Sequence, residues 1–211
     1  MTDSAADIWK TIPPEDYERH MSHSSVLQTQ ALAAIFQEIY TAARPRSVAV
    51  LGCTTGADFA HIQPDITQRV VGVDINAEFL SIARKRFAES SYLLELICGD
   101  VREVEFGRGF DLIHAALLFE YVEPAALVTR MTARLAPGGI CSVVIQQHSS
   151  HDCPSVSPTG IDSLNVLEPV IRICDHADIE RCFEAEGFAI QAGRTVPLVA
   201  GKSFWTGTFG R

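Results

Sequence analysis

Two short apolar runs, Ser47-Val48-Ala49-Val50-Leu51 and Val70-Val71-Gly72-Val73, constrain this chain more than any other feature. Gly52 closes the first and Asp74 closes the second, and between them lies a helical stretch, Ala57 to Gln63, that Pro64 stops. Strand, short helix and strand in that order form a βαβ unit, whose crossover packs back on its sheet only when right-handed. The alternation continues. Asn76 can cap a helix carrying Phe79, Ala83 and Phe87 along one side. Tyr92 to Cys98 and Phe110 to Ala116 read as two more strands. Glu123-Pro124 opens a helix with the stripe Leu127, Met131 and Leu135, because proline is tolerated in a first helical turn. Pro137-Gly138-Gly139 then turns into a fifth strand, Ile140 to Gln146.

Ahead of this core, Tyr17 through Tyr40 reads as helical, with Leu32, Ile35, Phe36 and Ile39 on one face. Beyond it, His148 to Cys174 is too long for a simple connection. A helix follows around Asp178 to Glu186, and the runs Phe188 to Val196 and Ser203 to Phe209 pair as closing antiparallel strands. Near-continuous apolar strands alternating with helices predict a doubly wound α/β sheet. The 211 residues suit one compact domain, with 1–45 as a helical lid and 46–211 as the core.

Composition narrows the function. Hydrophobic residues make up 47% and charged residues 20%, which excludes a disordered chain. The net charge of −9 gives no general attraction for nucleic acid or anionic membrane, and the basic run Arg84-Lys85-Arg86 reads as a solvated helix face. No run offers the roughly 20 apolar residues of a membrane helix. The acidic N-terminus is unlike a signal peptide, and six dispersed cysteines without a C-x-x-C pair fit buried thiols in a reducing cytoplasm. His148, His151, Cys153, Cys174, His176 and Cys182 are metal-ligand types in no familiar zinc spacing, so no metal is expected.

In a sheet of this kind, ligands bind beyond the carboxyl ends of the strands. Four loops therefore carry the inference. Gly52-Cys53-Thr54-Thr55-Gly56 lets backbone approach a ligand closely, and Asp74 at the next strand end can accept two hydrogen bonds from ribose hydroxyls. Gly99-Asp100-Val101 follows the third strand, and Ala115 and Ala116 close the fourth.

On these residues the chain resembles the class I S-adenosylmethionine-dependent methyltransferases, from Ser47 to Arg211. The likeness rests on Val50-Leu51-Gly52-Cys53-Thr54-Thr55-Gly56, Val71-Gly72-Val73-Asp74-Ile75, Gly99-Asp100-Val101, Phe110-Asp111-Leu112-Ile113 and Leu135-Ala136-Pro137-Gly138-Gly139, in order. It implies a seven-stranded sheet with the last strand antiparallel, and S-adenosylmethionine as cofactor. It implies that the Gly52 to Gly56 loop (Cys53 and Thr54 included) holds the methionine part. Asp74 would take the ribose and Ile75 would pack on adenine. Asp100 would accept from the adenine amino group, Val101 would donate its N–H, and Ala115 and Ala116 would floor the sulfonium. Tyr17 lies in a segment that lids the cofactor in the family, or else packs as an ordinary aromatic.

Two positions depart from the family pattern. Val50 stands where an acid is usual and Thr54 where glycine is usual, so the substitute anchor for the cofactor ammonium is expected among the backbone carbonyls around Gly52 or a nearby carboxylate such as Asp58 or Glu120. Methyl transfer mainly needs collinear alignment, with a base only if the acceptor must lose a proton. His148, Glu120 and Tyr121 are the candidates for that step, and the acceptor is expected to be a small molecule. The alternative is a degenerate relative acting as a non-catalytic nucleotide-binding or protein-interaction module. A nicotinamide oxidoreductase shares the Asp74 logic, but the glycine spacing is wrong for a dinucleotide fingerprint and Gly99-Asp100 goes unexplained.

Overall fold

The computed structural model describes residues 5–148 and 153–211. The core is a seven-stranded sheet: β1 (Ser47–Leu51), β2 (Arg69–Asp74), β3 (Leu93–Cys98), β4 (Phe110–Ala116), β5 (Leu135–His148), β6 (Ala189–Pro197) and β7 (Lys202–Gly210). Their spatial order is β3-β2-β1-β4-β5-β7-β6. The first five run parallel, and β7 is antiparallel to both β5 and β6. Strand order reverses beside β1, the switch point where such sheets bind ligands.

Among the described residues there are six α-helices: α1 (Ala5–Trp9), α2 (Pro14–Ser22), α3 (Gln28–Ala43), α4 (Ala77–Arg86), α5 (Pro124–Thr132) and α6 (His176–Ala185). The period-two alternation of each strand divides the core between two faces. Ala49, Leu51, Val71, Val73, Ile113 and Ala115 pack with Leu127, Met131, Ile179 and Phe183 of α5 and α6. Val48, Val50, Val70 and Leu112 pack with Phe36, Tyr40, Leu80 and Ala83 of α3 and α4. Asn76 caps α4 as expected, its Oδ1 accepting from the Glu78 and Phe79 N–H groups at 2.9 and 3.2 Å.

Local readings differ at three places. The helical region expected through Tyr17 to Tyr40 is two helices, because Ser22 and Ser25 bond neighbouring backbone or His23 rather than continuing the ladder, and Leu27 takes φ 52°. Ala57–His61 forms a single 3₁₀ turn instead of a longer helix. Leu135 belongs to β5, not to the α5 stripe: it pairs with Phe110 across a register shift that carries Pro137-Gly138-Gly139 within the strand.

That irregularity needs glycine. A Cβ on Gly139 would lie 2.5 Å from the Phe110 carbonyl oxygen, a backbone atom with little freedom to yield. Gly139→Ala should therefore lower unfolding stability by about 1–3 kcal/mol in urea titration, as overpacking a core does. An unchanged midpoint would show that the β4–β5 junction relaxes freely.

Candidate functional site

The carboxyl ends of β1, β2, β3 and β4 surround a cavity of about 220 Å³. Backbone hydrogen bonds set the first loop: Gly52 and Cys53 both donate to the Val73 carbonyl, at 2.8 and 3.0 Å. Asp74 holds the rest. One of its oxygens accepts from the Thr54 N–H and the other from the Asn76 N–H, each at 2.8 Å. Thr54 sits at φ 46°, an outlying conformation for a β-branched residue, so the Asp74 contact helps hold a strained turn. Asp74 is 7% exposed, and burial pushes its carboxyl up to about 6 against the pull of those N–H donors.

Of the residues expected to bind a ligand, Tyr17, Gly52, Thr54, Asp74, Ile75, Asp100, Val101 and Ala116 line this cavity together. Cys53, Gly56 and Ala115 do not. Cys53 turns into the α3–α4 core, where burial raises its thiol well above the ordinary value. Gly56 (φ 82°) is tucked against the Phe59 and Phe87 rings, and Ala115 points to the α5–α6 face. Strand alternation and loop curvature turn the Cys53 and Ala115 side chains into the core and set the Gly56 backbone against two aromatic rings.

Among the catalytic candidates, Glu120 and Tyr121 are in the wall and His148 is not. His148 Nε2 lies 2.8 Å from Gln146 Nε2, and Gln146 is the wall residue. Burial, with Lys202 nearby, holds the His148 imidazole below its ordinary pKa. Glu120 is 2% exposed: Oε1 accepts from the Gln146 N–H at 2.7 Å, while buried Oε2 has no partner among the described residues. Burial pushes this carboxyl up to about 7. Burial chiefly, then Asp74 and Asp58, raises the Tyr17 phenol.

The opposite side of the cavity is closed by α1, α2 and the segment around the 3₁₀ turn Asp162–Leu167. Ile12, Phe79, Ile161, Leu164 and Leu167 form one apolar cluster there, with Trp9 and Tyr17 packed on it. Polar links stitch the two covers: Ser163 donates to Asp16 at 2.6 Å, and His20 pairs with Thr159 at 2.9 Å. Burial and Lys202 push His20 down to about 4, so it is neutral in the wall.

Several wall residues lay beyond sequence reasoning, notably Trp9, Gln28, Arg102 and Gln146. Arg102 clamps the Asp100 carboxylate through Nε at 2.9 and 3.0 Å and holds it below the ordinary range. Its position two residues after Asp100 was the available signal. Gln28 and Gln146, 118 residues apart, share a buried hydrogen bond at 2.9 Å that no local pattern announces. Among the described residues, no group of three or more His, Cys, Asp or Glu side chains could hold a metal ion, and His151 lies outside them.

Asp58, offered as a substitute anchor, is not in the wall. Its Oδ2 is 3.9 Å from Nε2 of His114, a buried histidine bonded to Ser142 at 2.9 Å.

Residues 48–139 match a family model described as a methyltransferase domain. No protein among the curated sequences matches the chain. Solved structures share the fold at low identity. Magnesium protoporphyrin IX methyltransferase from Synechocystis PCC 6803, with bound SAH, aligns at TM-score 0.71 and 13% identity, covering 98% of this chain and 97% of that one. An S-adenosylmethionine-dependent methyltransferase from Clostridium acetobutylicum ATCC 824 aligns at 0.66 and 14%, covering 93% and 96%. A structure titled as a 4+2 cyclase aligns at 0.74 and 15%, covering 100% and 97%. The match to a methyltransferase domain thus covers 48–139, and the shared fold extends over 98% of the chain.

The wall and its support make stability pH-dependent. Burial pushes Asp58 up to about 7 and His114 down to about 4. An acid raised on folding stabilises below its unfolded pKa, and that contribution is lost as pH rises through the folded value. Asp58→Asn should therefore gain in melting temperature over the parent as pH rises from 5 to 8. A pH-independent difference would mean that Asp58 titrates normally.

Proposed function

We propose that this protein transfers the methyl group of S-adenosylmethionine to a small-molecule acceptor. The observation that carries the reading is the charge of the cavity. Asp74, Asp100 and Glu120 line it, while, among the described residues, the one guanidinium in its wall, Arg102, is already committed to Asp100 and the one histidine, His20, is neutral. A cationic nucleoside suits such a wall, and a pyrophosphate-bearing dinucleotide does not.

S-adenosylmethionine supplies an electrophilic methyl group on a sulfonium sulfur. In this reading Asp74 takes the ribose hydroxyls with the lone pairs its backbone donors leave free. Ile75 and Val101 flank the adenine, and Asp100 shares its carboxylate between Arg102 and the adenine amino group. Gly52 and Thr54 bring backbone against the methionine part. Ala116 and the neighbouring Leu117 and Leu118 form the floor at the end of β4, and Tyr121 faces the acceptor. His148 acts, if at all, through Gln146.

Residues 1–45 serve as the lid in this reading, together with the segment after β5. The covers exclude water and hold the acceptor in line, which is most of what methyl transfer asks of a protein. No helix among the described residues is long and apolar enough to cross a membrane. The six free cysteines support a reducing, cytoplasmic setting.

Calorimetric titration with S-adenosylmethionine and S-adenosylhomocysteine tests the proposal. Binding at about micromolar Kd is expected, weakened about tenfold or more by Asp74→Ala, whose melting curve reports any loss of fold separately. No binding of either compound at millimolar concentration overturns the enzyme reading. Tight binding without transfer to any of a broad set of acceptors would favour the non-catalytic module.

A further inference from the structure

Resting on that functional reading, we infer that Glu120 is the counter-ion for a cationic centre of the bound cofactor, taking over the place of the acid that Val50 lacks. Three observations converge on it.

The first is placement. Glu120 follows β4 in a turn closed by the Tyr121 N–H donating to the Leu118 carbonyl at 3.0 Å. Leu118 in turn lies against Gly52, where an added Cβ would meet its Cδ1 at 3.6 Å. The carboxyl stands in the cavity wall at the ends of β4 and β5, where it accepts from the Gln146 N–H, and its turn packs through Leu118 against the first loop, the end assigned to the methionine part.

The second is an unmet demand. The Gln146 N–H fixes one oxygen of Glu120, and the Arg172 N–H fixes its backbone carbonyl at 3.0 Å. Among the described residues the second carboxyl oxygen is buried without a donor. A buried carboxylate with half of its hydrogen-bonding capacity unmet and no counter-charge is costly, and its raised pKa states the same cost. The described titratable neighbours facing it include Tyr121 and Cys174, neither of them a cation. Arg102 is held by Asp100. A cationic ligand would supply the missing positive charge.

The third is elimination of the rival. Val50 is buried among Phe36, Tyr40 and Phe59 and offers no charge. Asp58 is absent from the wall and faces His114.

The cofactor carries two cationic centres, the ammonium and the sulfonium, and three ligands separate them. S-adenosylmethionine has both, S-adenosylhomocysteine has only the ammonium, and 5′-methylthioadenosine has neither. Binding of each to the parent protein and to Glu120→Gln would be measured by calorimetry. Glutamine keeps an oxygen for the Gln146 N–H, and methylthioadenosine affinity reports that fold and adenosine site survive. The expected result is unchanged methylthioadenosine affinity with S-adenosylhomocysteine weakened about tenfold or more, which identifies the ammonium. Weakening of S-adenosylmethionine alone supports the inference with the sulfonium as the centre. Equal weakening of all three, or of none, overturns it. If the parent binds none of the three, it is the functional reading that fails.

Discussion

The carboxyl of Asp74 is the contact on which the ligand end of the sheet depends. Both of its oxygens are held by main-chain N–H groups, from Thr54 on one side and Asn76 on the other. Charge-assisted bonds of this kind are worth about 1.5–3 kcal/mol each, enough to support a threonine in left-handed backbone. The neighbouring Val73 carbonyl collects two further donors from the same loop. The first loop is thus moulded on the end of β2, and the residue proposed to grip a ribose is the one that shapes the loop beside it.

Around that contact the cavity concentrates acid. Its carboxyls differ in environment: Asp100 is paired and held low, while Asp74 and Glu120 are raised by burial. Such divergence among carboxyls in one cleft marks a functional site more often than a structural one. The likeness to structures that include both methyltransferases and a cyclase shows why the argument must rest on these side chains, since one fold hosts different chemistries.

Much of the architecture was legible because strands of a buried parallel sheet announce themselves as short apolar runs, and β4 falls on Phe110 to Ala116 as read. Gly52, Thr54, Asp74, Ile75 and Asp100 were legible as cavity residues because strand ends open on the cavity whatever the side chains. Orientation was not legible: the side chains of Cys53 and Ala115 turn into the core, since a one-residue step changes the face. The covers were legible as segments, the N-terminal helices and the chain after β5, but not in their contacts. Trp9 and Leu164 reach the cavity through tertiary packing, and contacts such as Gln28 with Gln146 have no signature at short range.

Asn76 has one more role than capping α4. Its Nδ2 group donates to the carbonyls of Trp9 and Ile12, at 2.9 and 3.0 Å, while its Oδ1 caps the helix and its own N–H rests on Asp74. A single amide therefore fastens the N-terminal cover to the ribose acid. Lifting α1 strips two acceptors from a side chain that is 1% exposed, and a buried amide left that way does not keep its position. The N-terminal cover and the start of α4 thus share one buried amide, and neither can shift without unsettling the hydrogen bonds of the other.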